Sequence, residues 1–204
     1  MYSKAKIFNL ALSALLLTKK ISDTDSDTSV ENLILNTHYD TAFRMVLQDL
    51  DLDSTSTQKN LELIETDPNS LWKYSYKYPT DCSLFRRIQT TSLKDTRSTQ
   101  IPRRIAENNG KKVIFTDAQD AVGEYISHNC SLGNLSASAG LAIAYRLAEL
   151  SAPLIAGKGA ANLRKELGAR YIAVRAQAME HDRMENANFE TDTEMSEFVE
   201  ERIS

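Results

Sequence analysis

Aromatic and polar residues alternate between Leu71 and Tyr78, and this stretch constrains the fold more than any other part of the chain. The rings occupy every second position, as Trp72, Tyr74, Tyr76 and Tyr78, and the residues between them are Lys73, Ser75 and Lys77. A period of two is that of a β-strand, whose successive side chains point to opposite faces of a sheet. The stretch therefore predicts a strand with one aromatic and one cationic face. Pro79 ends the strand because proline cannot donate to a sheet ladder.

The aromatic face has two interpretations. In the first, the rings fill the core of a small sheet that would otherwise bury little apolar area. In the second, they form an interface, since tyrosine and tryptophan are enriched where proteins meet. A subunit that assembles with copies of itself needs both. The candidate interface residues are Trp72, Tyr74, Tyr76, Tyr78, Arg86, Arg87, Arg103 and Arg104.

Helical patterns dominate both ends of the chain. Four helices are predicted, at about residues 3–19, 28–49, 134–152 and 160–185. The second begins at a capping box formed by Thr28 and Glu31. Its helical pattern runs through Val30, Leu33, Ile34, Thr37, Ala42, Met45, Val46 and Leu50. The third has inward-facing Leu135, Ala139, Ile143 and Leu147, and it ends before Pro153. The fourth carries a heptad-like seam of Leu163, Leu167, Tyr171, Val174 and Ala178, which suits antiparallel packing.

Strand patterns occupy the middle of the chain. Strands are predicted at residues 61–65, 72–78, 83–90, 103–106, 113–115 and 122–128, forming one small antiparallel sheet. Asn108, Asn109 and Gly110 predict a tight hairpin, because these residues tolerate a positive φ. The Thr- and Ser-rich residues 90–100 have no apolar period and predict a projecting mobile loop.

The predicted fold class is α+β and mainly helical: an antiparallel helical bundle with an inserted small antiparallel β-rich subdomain and an extended C-terminal tail. Residues 1–53 and 131–187 supply the bundle, residues 54–130 the subdomain and residues 188–204 the tail. The tail is acidic and carries spaced apolar residues, Phe189, Phe198, Val199 and Ile203. Such a segment cannot bury enough apolar surface to fold alone, so we expect it to order on a partner.

Charge is distributed unevenly along the chain. Residues 70–113 carry ten Lys or Arg against three acids, whereas residues 180–204 carry nine acids against two Arg. The basic segment supports a nucleic-acid hypothesis, because its cations interleave with rings that can stack on bases. Its alternatives are a solvated strand face or a patch that matches an acidic surface on a neighbour. These cations are Lys73, Lys77, Arg86, Arg87, Arg103, Arg104, Lys111 and Lys112.

No motif predicts an enzyme, a metal site or a cofactor. The acidic run from Asp23 to Asp27 lacks the glycine and glutamate of a calcium loop. His128, Cys130 and Cys82 lack the paired spacing of a zinc site. Two cysteines in 204 residues predict a reducing compartment rather than a disulfide framework. The apolar run from Ile7 to Leu17 follows two lysines like a secretory signal, but it contains Asn9 and no small-x-small site, which favours a buried amphipathic helix.

Several segments resemble one family. Trp72-Lys-Tyr-Ser-Tyr-Lys-Tyr-Pro-Thr-Asp-Cys-Ser-Leu-Phe-Arg-Arg-Ile88 looks like the Trp-x-Tyr-x-Tyr-x-Tyr-Pro-x-Asp-Cys pattern of tail tubular protein A and the head-to-tail adaptor proteins of tailed bacteriophages. Similar segments are Asn9–Leu12, Tyr39–Leu47, Val113–Thr116 and Leu141–Leu154. The resemblance spans roughly residues 8 to 185. The chain departs from its relatives at Leu17-Thr-Lys and Leu50-Asp-Leu52, which leaves the first connector and the entry to the sheet open.

The resemblance implies a non-enzymatic virion protein at the portal vertex, assembled in the host cytoplasm. It implies a homo-oligomeric ring, a dodecamer, that joins the portal to the next tail or neck component, a nozzle or stopper, and continues the DNA channel without reading sequence. It also implies that the C-terminal segment with Phe189, Phe198, Val199 and Ile203 reaches the portal. No membrane partner and no cofactor is expected. The rival expectation is a DNA-binding accessory protein that uses the basic aromatic strands.

Overall fold

The computed structural model describes residues 2–90 and 101–186, which form two compact units. Residues 2–54 and 131–186 belong to a helical unit, and residues 55–90 and 101–130 belong to a β-rich unit. The helices are α1 (Lys4–Ala14), α2 (Val30–Leu50), α3 (Ala137–Ile155) and α4 (Ala160–Asn186). The strands are β1 (Ser56–Asn60), β2 (Leu63–Asn69), β3 (Trp72–Lys77), β4 (Cys82–Thr90), β5 (Arg103–Asn108), β6 (Lys111–Thr116) and β7 (Ala121–Ser127).

The prediction of a mainly helical fold is wrong. Of the described residues, 49% are helical and 26% lie in seven antiparallel strands, which form two sheets in a mixed α+β fold. The sequence predicted a single sheet and missed β1, because Ser56–Asn60 is polar and has no alternating pattern. Its register comes from distant residues of β7, since Ser56 pairs with Ile126. A strand that is specified by non-local pairing leaves little local signal.

In the helical unit, α3 packs against α1, α2 and α4. Its alanine-rich stripe is buried as predicted, with Ala139, Ile143 and Leu147 inaccessible to solvent. Leu167, Tyr171 and Ala178 of the predicted α4 seam are buried too. The amphipathic α1 is confirmed, since it buries Ile7, Phe8, Ala11 and Leu12.

Three local predictions for the helices are wrong. The α2 cap is Ser29 rather than Thr28, because the Ser29 side chain accepts from the backbone amide of Asn32. Val30 and Leu33 are exposed, although Ala42, Val46 and Leu50 of the same predicted pattern are buried, together with Leu35 and Phe43. Pro153 does not end α3, which continues to Ile155. None of the described helices is long and apolar enough to cross a membrane.

The β-rich unit contains a three-stranded sheet in the order β1-β7-β4 and a four-stranded sheet in the order β2-β3-β6-β5. One apolar core draws on both sheets: Tyr76, Phe85, Ile88, Ile114, Ala121 and Tyr125. On the polar face of β3, Ser75 is fully buried next to Phe115 of β6, whereas Lys73 and Lys77 are exposed. The strict alternation thus predicted the strand and its exposed lysines, but not the burial of Ser75.

The β5–β6 hairpin is confirmed, with φ of 51° at Asn109 and 74° at Gly110. Nothing lies within 4 Å of a Cβ built on Gly110, so only its backbone conformation requires glycine. We expect Gly110→Ala to destabilise the protein by about 1 kcal/mol, because an L-residue in the left-handed region is strained. Urea unfolding measures this. Gly159→Ala is the control, since Gly159 also faces open space without a positive φ; equal effects of the two substitutions would contradict the prediction.

Candidate interaction surface of the β-rich unit

The aromatic residues of β3 divide between core and surface. Tyr76 is 2% exposed and belongs to the apolar core, and its hydroxyl donates to the carbonyl oxygen of Ala118 at 3.0 Å. Tyr74 and Tyr78 are half-buried and pack against the same core. Trp72 is half-buried at the start of the strand. The core interpretation therefore holds for Tyr76, whereas the other three rings keep accessible surface.

Tyr78 links the end of β3 to the start of β4. The Cys82 thiol donates to the Tyr78 phenol oxygen at 3.1 Å, and the Lys112 ammonium lies 3.7 Å from the centroid of the same ring. Burial raises the pKa of the Tyr78 phenol, and its contact with Cys82 raises it further. Burial also raises the pKa of the Cys82 thiol. Both groups stay neutral at pH 7, so Cys82 lacks the thiolate character of a nucleophile.

Asp81, in the turn between β3 and β4, ties the three-stranded sheet together. Its carboxylate accepts hydrogen bonds from Lys59 of β1, and from Tyr125 and Ser127 of β7, each at 2.9 Å. Its carbonyl oxygen accepts from the backbone amide of His128. Burial alone would raise the pKa of Asp81, but the hydrogen bonds from Lys59, Tyr125 and Ser127 outweigh it and lower that pKa to about 2. Asp81 is therefore charged at any physiological pH.

A cleft of about 190 Å³ opens beside this cluster. Its lining includes Lys59, Glu62, Lys77, Tyr78, Asp81 and Tyr125. The charged groups are matched internally, because Lys59 pairs with Asp81 and Lys77 pairs with Glu62, each at 2.9 Å. The cleft thus presents balanced charge rather than a cationic anion-binding site.

Arg86 and Arg87 meet a buried carboxylate on β7. Glu124 is 4% exposed, and Arg87 donates to its two oxygens at 2.9 and 3.0 Å. Gln58 and Gln89 also donate to Glu124, at 3.2 and 2.7 Å, and Arg86 lies 3.7 Å away. A bidentate arginine with added amide donors is the kind of pairing that a buried carboxylate needs. Both arginines are therefore engaged in holding strands β1, β4 and β7 together.

Arg103 and Arg104 are neighbours on β5 with different environments. Arg103 donates to the carbonyl oxygen of Arg86, and its guanidinium lies 5.5 Å from the centroid of the Phe85 ring. Burial lowers the pKa of the Arg103 guanidinium. Arg104 is exposed and forms no ion pair with any residue that the structure describes. Of the four candidate arginines, Arg104 is the one whose charge is presented outward.

Asp81 and Glu124 were not among the predicted site residues. Asp81 could have been identified from the sequence, because it directly precedes Cys82 in the Pro-Thr-Asp-Cys turn. Glu124 had a weaker one, as the only charged residue within Ala121–Ser127. The predicted tail residues Phe189, Phe198, Val199 and Ile203 lie outside the described residues, as do residues 91–100 of the predicted loop.

Cys82 and Cys130 are both unpaired thiols. Within residues 2–90 and 101–186, no three His, Cys, Asp or Glu side chains come together as a metal site. The sequence matches no protein-family model, and a search of curated proteins finds no match to it.

Proposed function

We propose that this chain is a structural adaptor subunit of a tailed bacteriophage, forming a ring that joins the portal to the next tail component and continues the DNA channel. The proposal starts from the resemblance of the Trp72–Ile88 segment to the adaptor family. This segment holds the β-rich unit together, since Tyr76 lies in its core and Asp81 joins β1 to β7. The resemblance therefore rests on residues that determine the fold of this unit.

The outer face of α4 is the observation that carries the proposal. Ala169, Ile172, Ala176 and Met179 follow one another at spacings of three, four and three residues, and all four are exposed. Ile172 is 65% exposed and Met179 43%. They lie opposite the buried face of the same helix, which carries Leu167, Tyr171 and Ala178. Apolar residues at this spacing are typical of a seam between packed helices, so α4 has one seam inside the unit and a second facing outward.

The second seam suits a ring of identical subunits. A closed ring is built from heterologous contacts, in which one surface of each subunit meets a different surface of the next. Alanine at two of the four seam positions lets a neighbouring helix approach closely, while Ile172 and Met179 supply apolar area. We name Ala169, Ile172, Ala176 and Met179 the outer seam.

Sequence-independent DNA binding is the rival function, and it is disfavoured because five of the eight cations of the basic segment are engaged within the chain. Lys73, Arg104 and Lys111 are exposed and form no ion pair with a described residue. Arg86 and Arg87 surround Glu124, and Arg103 packs on Phe85. Lys77 pairs with Glu62, and Lys112 lies over Tyr78. A DNA-binding strand surface needs cations directed at phosphates, and its affinity falls steeply with salt. Strong salt-sensitive binding of duplex or single-stranded DNA by the purified chain would favour this rival.

We expect Ile172→Glu to abolish assembly while leaving the fold intact, because a charge in an apolar helix seam is disfavoured, whereas position 172 is solvent-exposed in the single chain. Electron microscopy of the chain mixed with the portal protein of the same virus is the measurement, and portal-capped rings are the result expected for the unaltered protein. Gln177→Glu adds the same charge to an exposed position of α4 outside the outer seam, and it should assemble normally. If the unaltered chain stays a compact monomer and does not bind portal protein, the proposed function is wrong.

A further inference from the structure

The four-stranded sheet of the β-rich unit has edges of opposite charge. At one edge, β2 carries Glu65 and Asp67, and at the other, β5 begins with Arg103 and Arg104 and carries one acid, Glu107, near its end. Glu65, Asp67 and Arg104 are exposed, and in the described chain neither Glu65 nor Arg104 forms an ion pair. Each edge strand has a strand partner on one side only among the described residues.

The register of the sheet aligns these charges. Glu65 pairs with Ser75, Ser75 with Phe115, and Phe115 with Arg104, so Glu65 and Arg104 end the same cross-strand row. The adjacent row runs from Leu63 through Tyr76 and Ile114 to Ile105. Its two ends are exposed apolar residues, Leu63 at 49% and Ile105 at 37%. Each edge therefore presents one apolar and one charged side chain in the same two cross-strand rows. The charge is negative at the β2 edge and positive at the β5 edge.

We propose that the β2 edge of one copy of this chain docks on the β5 edge of the next. Placed side by side, Glu65 meets Arg104 and Leu63 meets Ile105. The four strands alternate in direction, so β5 of the neighbour runs antiparallel to β2 and extends the sheet. A pairing of two β2 edges that sets Glu65 opposite Glu65, or of two β5 edges that sets Arg104 opposite Arg104, would bring like charges together and is disfavoured.

Two features confine the contact to a short segment. The β2–β3 pairing is irregular between Leu63 and Glu65 and again after Thr66, and Asp67 has a φ of 49°. Bulges of this kind limit pairing of the β2 edge with arbitrary strands. The choice of partner therefore depends on the side chains that meet across the contact. Beside β5, a surface cavity of about 470 Å³ is lined by Ile101, Pro102, Arg103 and Ile105. This cavity offers apolar contacts to the side chain of Leu63 from the neighbouring copy.

This contact deepens the proposed function and rests on it, because head-to-tail docking through two different edges is the heterologous kind that closes into a ring. It adds a second contact between neighbours, on the β-rich unit, to the outer seam of α4. It also assigns the recognition between copies to one ion pair and one apolar pair.

Disulfide trapping tests the contact between full-length chains. Residues opposed on antiparallel strands lie within disulfide range, so a mixture of the Leu63→Cys and Ile105→Cys variants should cross-link under mild oxidation. The control mixture pairs Leu71→Cys with Ile105→Cys, since Leu71 is exposed but lies outside the row. We expect about tenfold more mixed disulfide from the first mixture, because two cysteines whose Cα atoms are more than about 7 Å apart cannot be bridged without backbone movement. Equal yields, or no mixed disulfide from either mixture, would overturn the proposal.

Reversing the charges of Glu65 and Arg104 provides a second test of the contact. Adding Glu65→Arg to the Leu63→Cys chain should reduce trapping severalfold, because two arginines then face each other. Adding Arg104→Glu to the Ile105→Cys partner as well should restore it. Trapping that is indifferent to both reversals contradicts the contact. Failure of trapping alongside portal-capped rings removes the edge contact but keeps the adaptor function, whereas successful trapping without portal binding removes the adaptor function alone.

Discussion

Asp81→Ala should lower the free energy of unfolding by about 3 kcal/mol, because it leaves the charged or polar groups of Lys59, Tyr125 and Ser127 without their shared acceptor. Asp81 is largely buried, and three side chains from two strands converge on its carboxylate. Urea unfolding of the full chain at neutral pH measures the loss. Glu62→Ala is the matched control, since Glu62 pairs with Lys77 at the surface of the same cleft. An exposed ion pair contributes less than about 1 kcal/mol.

The Asp81 carboxylate also makes the free energy of unfolding depend on pH, and the direction of this dependence follows from its pKa. The pKa of Asp81 falls from its ordinary value of 3.8 to about 2 in the folded protein. A lowered folded pKa stabilises the protein above the unfolded pKa, and the stabilisation is lost as pH falls through the folded pKa. The stability difference between the wild type and Asp81→Ala should therefore narrow by about 2 kcal/mol between roughly pH 4 and pH 2. A gap that stays constant over this range would show that the Asp81 charge does not stabilise the fold.

Much of the helical unit could be predicted from the sequence because its contacts repeat along the chain. The alanine stripe of α3 and the predicted seam of α4 are regular; the stripe is buried, and Leu167, Tyr171 and Ala178 of the seam are buried too. The error on α2 concerned its cap and its first turn. The predicted pattern is buried at Ala42, Val46 and Leu50, whereas Val30 and Leu33 near the start of the helix are exposed. The helix is capped by Ser29 rather than by the predicted Thr28. Adjacent Thr and Ser are both good caps, so the local sequence alone could not choose between them.

The β-rich unit was harder to predict because its strands pair with partners far away in the chain. β1 has no apolar alternation and is placed by β7, about 65 residues later, as the pairing of Thr57 with Tyr125 illustrates. The split into two sheets is likewise a property of pairing rather than of any one strand. The rings of β3 were found from their period, but the burial of Tyr76 depends on β4, β6 and β7. The pairing of Arg87 with Glu124 joins two strands whose sequences show no sign of it separately.

Glu124 gives the second large effect. Its carboxylate is buried and accepts from Arg87, Gln58 and Gln89, which come from both neighbouring strands. Glu124→Ala removes the acceptor for all three, and we expect it to destabilise the protein by about 4 kcal/mol, the cost of breaking a buried ion pair. Urea unfolding is again the measurement. An effect below about 1 kcal/mol would mean that this network behaves like surface charge.

A double-mutant cycle then separates the ion pair from the rest of the network. Methionine at positions 124 and 87 removes both charges while retaining apolar volume, so the double variant should lose less stability than the two single variants together. We expect a coupling energy of about 1 to 3 kcal/mol, as found for contacting residues in one network. The corresponding cycle on exposed Glu62 and Lys77 should give under about 1 kcal/mol. Equal coupling energies in the two cycles would mean that Glu124 holds Arg87 no more strongly than Glu62 holds Lys77. Arg87 would then be available to bind a partner, which would support a basic binding face on this sheet.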